Sequence, residues 1–247
     1  MPEAHENAPT IVLAHGAFAD GSSWNGVIER LQRAGYTAVA PAIGLRGVAA
    51  DCAYLGGVIS QIDGPVLLVG HSYGGALISN AGTNPPNVVG LVFVAAFAPD
   101  TDEVLGEVTA ESKDAVLMTA LVQREVPIGQ EGETASEFLI DPERYREAFA
   151  ADLPPEKTAV IAATQRPVAA AAFNDRCGTP AWKSLPSWAV VANQDKAAGA
   201  DLVRTMARRA GADITEVESS HVVMVSQPQA VTDVILTAAE TVALPQG

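Results

Sequence analysis

A short apolar run at residues 65–69 leads into Gly70-His71-Ser72-Tyr73-Gly74-Gly75, and Ala76-Leu77-Ile78-Ser79-Asn80 follows. Read locally, this is a buried strand, a tight turn and a helix with small residues in its first turn. Gly-x-Ser-x-Gly set between strand and helix is the nucleophile elbow. The turn holds its central residue at strained backbone angles, and the flanking glycines let strand and helix pass close together. Ser72 would stand at the C-terminal end of a central strand and at a helix N-terminus. That position favours developing negative charge.

The segments around the elbow repeat its logic. Residues 10–14 (Thr-Ile-Val-Leu-Ala) read as a first strand. Trp24, Val27, Ile28 and Leu31 follow at helical spacing, with Gly35 as a stop. Residues 37–40 form a second strand, and Leu55, Val58, Ile59 and Ile62 mark a second helix face. Residues 88–94 are a fourth strand. Strands alternating with helices predict an α/β chain whose parallel sheet is covered by helices on both faces.

The texture then changes. Residues 100–180 hold no buried-strand run. Helical patterns at 112–124, 142–151, 155–164 and 168–173 surround a Gly- and Glu-rich extended piece at 126–140. This block reads as a mainly helical cap of residues 100–180, inserted into a core of residues 1–99 and 181–247. The sheet resumes at residues 187–192. Asp201 caps a helix whose inner face is Leu202, Val203, Met206 and Ala210, and residues 214–217 are a short last strand. A final helix carries Pro228 in its first turn and Val231, Val234 and Ile235 inside.

Composition narrows the partners. The 247 residues are 48% hydrophobic but only 5% aromatic, so the core is built mostly of Ala, Val, Leu and Ile. A net charge of −14, scattered rather than blocked, argues against nucleic acid and anionic membrane surfaces. No apolar run approaches the length of a membrane span. Residues 1–7 are polar and acidic, unlike a signal peptide, so a cytoplasmic enzyme is expected. Cys52 and Cys177 lack metal-ligand spacing and read as free thiols. With no zinc-protease or dinucleotide motif present, neither metal nor organic cofactor is implied.

A serine hydroxyl at neutral pH needs a base within hydrogen-bond reach, and the base needs a group to orient it. Of four histidines, His5 sits in a tail and His71 is locked inside the elbow. His15 ends the first strand, where a structural role beside the following loop is expected. His221 follows the last strand, at the sheet end where Ser72 emerges, and is the candidate base. Asp195, just past the strand ending at Ala192, is the candidate acid. Asp100 and Asp102 are the alternatives, with Asp175 weaker and Glu216 and Glu218 expected to face solvent. A tetrahedral intermediate also needs two donors. These are expected from the backbone N–H groups of Tyr73 and of Ala17 in His15-Gly16-Ala17-Phe18. Phe18, Phe97 and Val222 are candidate pocket walls, and Phe138, Phe149 and Phe173 of the inserted block are available beside them.

The order Ser72, Asp195, His221, with an elbow and a His-Gly-x loop, resembles the α/β-hydrolase superfamily. The stretches 15–24, 70–75, 95–99 and 220–228 are more closely similar to the small subgroup containing methyl-salicylate esterases, hydroxynitrile lyases and pyrethroid-type carboxylesterases. That resemblance implies a mostly six-stranded sheet and a cap between its fourth and fifth strands. It implies a serine hydrolase acting on a small-molecule carboxylic ester. Val222 and Gly16 stand where the lyases carry lysine and threonine, which argues against cyanohydrin cleavage, and Ser72 excludes a dehalogenase. Lactone opening, carbon–carbon bond hydrolysis and cofactor-free perhydrolysis use the same residues, and a non-enzymatic receptor is the remaining alternative.

Overall fold

The computed structural model of the chain describes residues 8–83, 85–129 and 132–243. His5 lies outside the described residues, as does the N-terminal stretch through residue 7. The first half alternates β1 (Thr10–Ala14), α1 (Asn25–Arg33), β2 (Ala38–Val39), α2 (Val48–Ile59), β3 (Val66–His71), α3 (Tyr73–Ala81) and β4 (Val88–Val94). An inserted segment then carries α4 (Leu105–Ala110), β5 (Leu121–Pro127), β6 (Thr134–Ile140), α5 (Tyr145–Phe149), α6 (Pro155–Thr164), β7 (Val168–Ala169) and α7 (Ala171–Asn174). The chain returns through β8 (Ser187–Ala192), α8 (Ala200–Arg209), β9 (Asp213–Val217), α9 (Val223–Ser226) and α10 (Pro228–Ala243).

Six strands form one parallel sheet in the order β2-β1-β3-β4-β8-β9. Side chains alternate across it, as the two-residue period of a strand requires. Ile11, Leu13, Val69 and Val92 face α1 and α10 and pack with Val27, Leu31, Val231 and Ile235. Val12, Leu68, Leu91 and Val191 face the other way, toward Leu55, Leu77, Val203 and Met206 of α2, α3 and α8. With both faces covered, β3 is buried along its whole length. That is why its sequence is a continuous apolar run rather than an alternating one.

The inserted segment corrects two expectations. Beside its helices it carries a second sheet, with order β5-β6-β7. The helix expected over residues 112–124 does not form. Leu117 and Ala120 bury their apolar sides in a single 3-10 turn, and β5 starts at Leu121. The antiparallel register from Leu121↔Ile140 to Pro127↔Thr134 supplies residues 121–127 with partners that no local pattern reveals. Likewise Val168 pairs with Phe138, so the expected helix at 168–173 shortens to α7. A third correction concerns Asp201. Gly199, at φ 90°, is the residue before α8, and Asp201 lies inside its first turn. Its carboxylate instead accepts the Lys113 N–H at 2.9 Å and the Ser112 hydroxyl, tying the inserted segment to the core.

Candidate active site

Ser72 sits between β3 and α3 at φ 52° and ψ −120°, a conformation that an L-residue holds only when its surroundings enforce it. Its N–H donates to Val94 O at 3.3 Å, and its carbonyl accepts from Gly75 N at 2.9 Å and Phe97 N at 3.2 Å. A Cβ at Gly70 would lie 2.5 Å from the Gly74 carbonyl oxygen, and one at Gly74 would overlap the carbonyl of Ala14. The two glycines are therefore demanded by backbone approach on both sides of the serine. Tyr73 opens α3, so its N–H has no partner within the helix. Gly16, in the loop after β1, stands directly against the serine: a Cβ there would be 2.8 Å from Ser72 Cβ and 2.7 Å from His71 Nδ1.

His221 and Asp195 come from separate loops at the C-terminal edge of the sheet. His221 Nδ1 lies 2.8 Å from Asp195 Oδ2, and neither side chain is exposed. The other carboxylate oxygen, Oδ1, accepts the N–H groups of Ala197 (2.8 Å) and Ala198 (3.1 Å). The Asp195 carbonyl accepts Ala200 N at 3.0 Å, which closes this turn without a proline. With Nδ1–H directed at the carboxylate, the Nε2 lone pair is the free one. Nε2 is buried and has no hydrogen-bond partner among the described residues. Such a nitrogen is suited to take a proton from a hydroxyl brought beside it.

The other acids are engaged elsewhere. Asp100 pairs with Lys183, Asp102 is exposed at φ 66°, and Asp175 lies beside Gly47. Glu216 pairs with Arg204, and Glu218 accepts from Asn193 and Gln194. One acid near the base is visible only in three dimensions. Asp152, from the loop after α5, accepts the hydroxyls of Ser219 (2.8 Å) and Ser220, the two residues before His221. These hydroxyls hold its carboxyl below the ordinary carboxylate range against the opposing effect of burial.

Two histidines serve the frame. His71 Nε2–H donates to the His221 carbonyl at 3.0 Å. Burial, reinforced by the neighbouring His221, holds the His71 imidazole well below its usual 6.5, and burial also lowers His15. Both are neutral in the fold but take up a proton near pH 6.5 when unfolded. Below about pH 6.5 the unfolded chain therefore binds more protons, and stability falls as pH falls, by up to about 1.4 kcal/mol per unit for each histidine. Urea unfolding at pH 7.5 and 5.5 should show a smaller loss in His71→Gln than in the wild type. Equal losses would remove His71 from this account.

Two cavities adjoin these residues. One has a volume of about 10 Å³, room for about one water, and is lined by Ser72, Tyr73, Ala17 and Phe97 among others. The second, of about 430 Å³, lies between the core and helices α5 and α6, with Tyr145, Ile161, Val222 and Met224 on its walls. Phe18 and Phe149 line both. Their rings meet edge to face with centroids 6.3 Å apart, and Phe149 lies 4.9 Å from the His221 ring. Of the expected pocket walls, Phe18 and Phe97 border the small cavity, whereas Val222 borders the large one. Asp152, Tyr145 and Leu117 were not legible as site neighbours, because nothing in their local sequence sets them apart.

Comparisons agree with this architecture. A family model described as "Alpha/beta hydrolase family" matches residues 11–234. No curated protein sequence matches the chain. Among solved structures, polyneuridine aldehyde esterase is similar with a TM-score of 0.78 and 21% identity, covering 94% of this chain and 99% of that one. Methylketone synthase I of tomato, complexed with 2-tridecanone, is similar with a TM-score of 0.75 and 20% identity, covering 95% and 98%. A pyrethroid hydrolase from Sphingobium faniae has a TM-score of 0.73 and 20% identity, covering 94% and 97%.

Proposed function

This chain belongs to the alpha/beta hydrolase family, and from that premise we propose that it is a carboxylesterase-type serine hydrolase, cleaving small to medium, largely apolar esters. The observation that carries this reading is the buried His221–Asp195 pair, with a free imidazole nitrogen, at the sheet edge where Ser72 is held at left-handed angles. Ser72 Oγ attacks the ester carbonyl while His221 Nε2 takes its proton. Asp195 holds the imidazole in the tautomer that can accept and stabilises the imidazolium that forms. The N–H groups of Tyr73 and Ala17 receive the oxyanion. His221 returns the proton to the departing alkoxide, and water, deprotonated by His221, then releases the acid from the acyl-enzyme. That an esterase and a pyrethroid hydrolase share the fold supports the choice of reaction.

The residues between β4 and β8 serve in this reading as a cap. An acyl group is larger than the single water for which the small cavity has room, so Phe18 or Phe149 must move for substrate to reach Ser72 from the large cavity. The test is hydrolysis of p-nitrophenyl esters from acetyl to dodecanoyl, paired with fluorophosphonate labelling and peptide mass analysis. Turnover and a single adduct on the peptide containing Ser72 are expected. A folded protein that neither turns over any of these esters nor takes the label is not a serine esterase.

A further inference from the structure

We propose that Arg166 is a positioning residue for the oxyanion loop, acting through His15 to aim the Ala17 N–H. The proposal rests on the ester-hydrolase reading and deepens it. Arg166 lies in the inserted segment between α6 and β7, far in sequence from the loop after β1. It nevertheless reaches that loop's surroundings at three points. Its backbone N–H donates to Phe18 O at 3.3 Å. Its guanidinium donates to Ile43 O at 2.7 Å, and the same nitrogen stands 3.5 Å from His15 Nε2.

The direction of each bond follows from the groups involved. His15 Nδ1 lies 2.9 Å from the Gly16 carbonyl oxygen. A carbonyl only accepts, so Nδ1 carries the hydrogen. A guanidinium only donates, so Nε2 is the accepting nitrogen. Burial, which lowers the His15 pKa, agrees with a neutral ring. Arg166 therefore selects the His15 tautomer that holds the Gly16 carbonyl.

The peptide plane then transmits the constraint. In a trans peptide the Gly16 C=O and the Ala17 N–H point in opposite directions. Holding the carbonyl toward His15 turns the N–H away from His15. Gly16 itself is in contact with Ser72, and Ala17 lines the small cavity beside Ser72 and Tyr73. Phe18, the next residue, sits at φ 60°, a costly angle for an aromatic residue, and the Arg166 N–H secures its carbonyl. The inserted segment thus sets the aim of an oxyanion donor in the core as well as covering the site.

The test compares Arg166→Met and Arg166→Lys with the wild type, using p-nitrophenyl acetate as substrate and an alkyl trifluoromethyl ketone as the tetrahedral-adduct probe. Removing an oxyanion donor outright lowers rates by ~10²–10³, and a misaimed donor should lower them less. Arg166→Met is expected to lower kcat by ~10- to 100-fold with KM changed less than about threefold, and to weaken ketone inhibition by the same factor as kcat/KM. Arg166→Lys, which keeps a donor cation, should recover part of both. A folded Arg166→Met with wild-type kcat overturns the relay, as does a fall in kcat without parallel loss of ketone affinity. If Arg166→Met does not fold, Arg166→Lys decides: wild-type kcat and ketone affinity overturn the relay, and a parallel loss of both supports it. A wild type showing neither turnover nor inhibition removes the ester reading and the relay together, whereas wild-type turnover with unaffected variants removes the relay alone.

Discussion

Asp195→Asn is expected to lower kcat by about 10⁴-fold while the protein stays folded. Oδ1 accepts the N–H groups of Ala197 and Ala198, and an asparagine oxygen can keep both bonds. Its amide nitrogen then replaces Oδ2, 2.8 Å from His221 Nδ1. That nitrogen donates, so Nδ1 must accept and the ring proton moves to Nε2. His221 is left without a lone pair facing the serine hydroxyl. The loss is one of tautomer rather than of packing, so circular dichroism and Tm should stay near wild type while p-nitrophenyl acetate turnover collapses. Activity within tenfold of wild type would place the acid elsewhere, with Asp152, which accepts from Ser219 and Ser220 beside the base, the next to replace.

Gly74→Ala should damage folding itself. Its Cβ would overlap the Ala14 carbonyl oxygen and stand 3.0 Å from both the Ala14 carbonyl carbon and the His15 oxygen. These are backbone atoms, and Ala14 is paired with Gly70 in the sheet, so no side-chain rotation can relieve the clash. Overpacking typically destabilises by ~1–3 kcal/mol, and an unyielding backbone puts this case at or beyond the upper end. For a chain of this size that is a Tm lower by about 6–12 °C, or loss of soluble protein. Gly57→Ala, in α2, is the control, because nothing lies within 4 Å of its added Cβ. Removing a helical glycine there should leave Tm unchanged or raise it slightly. A Gly74→Ala protein as stable as wild type would show that α3 and β1 are free to separate.

Much of this molecule can be read along the chain. The alternation that predicts a parallel sheet matches the six strands found, and the Gly35 stop, at positive φ, lies just past α1. Ser72, Asp195 and His221 stand out because each follows a strand that is recognisable by itself. The inserted segment was less legible. The apolar spacing around Val116, Leu117 and Ala120 fits a helix as well as it fits one turn followed by a strand. Pairing with residues 134–140 made the choice. Asp201 read as a cap because its local setting allows one, yet donors 89 and 88 residues away occupy its carboxylate.

The difference lies in the range of the forces. A buried strand, a glycine that must admit a neighbouring backbone and a serine between two such glycines are set by sterics and hydrophobic period over a few residues. Sequence carries those constraints in full, and with them the sheet, the elbow and the candidate nucleophile. Which donor meets which acceptor across the fold depends on chain segments that only packing brings together. Arg166 beside His15, Asp152 beside Ser219 and Ser220, and Phe18 against Phe149 are contacts of that kind. Each joins the inserted segment to the core, and tertiary structure alone decided them.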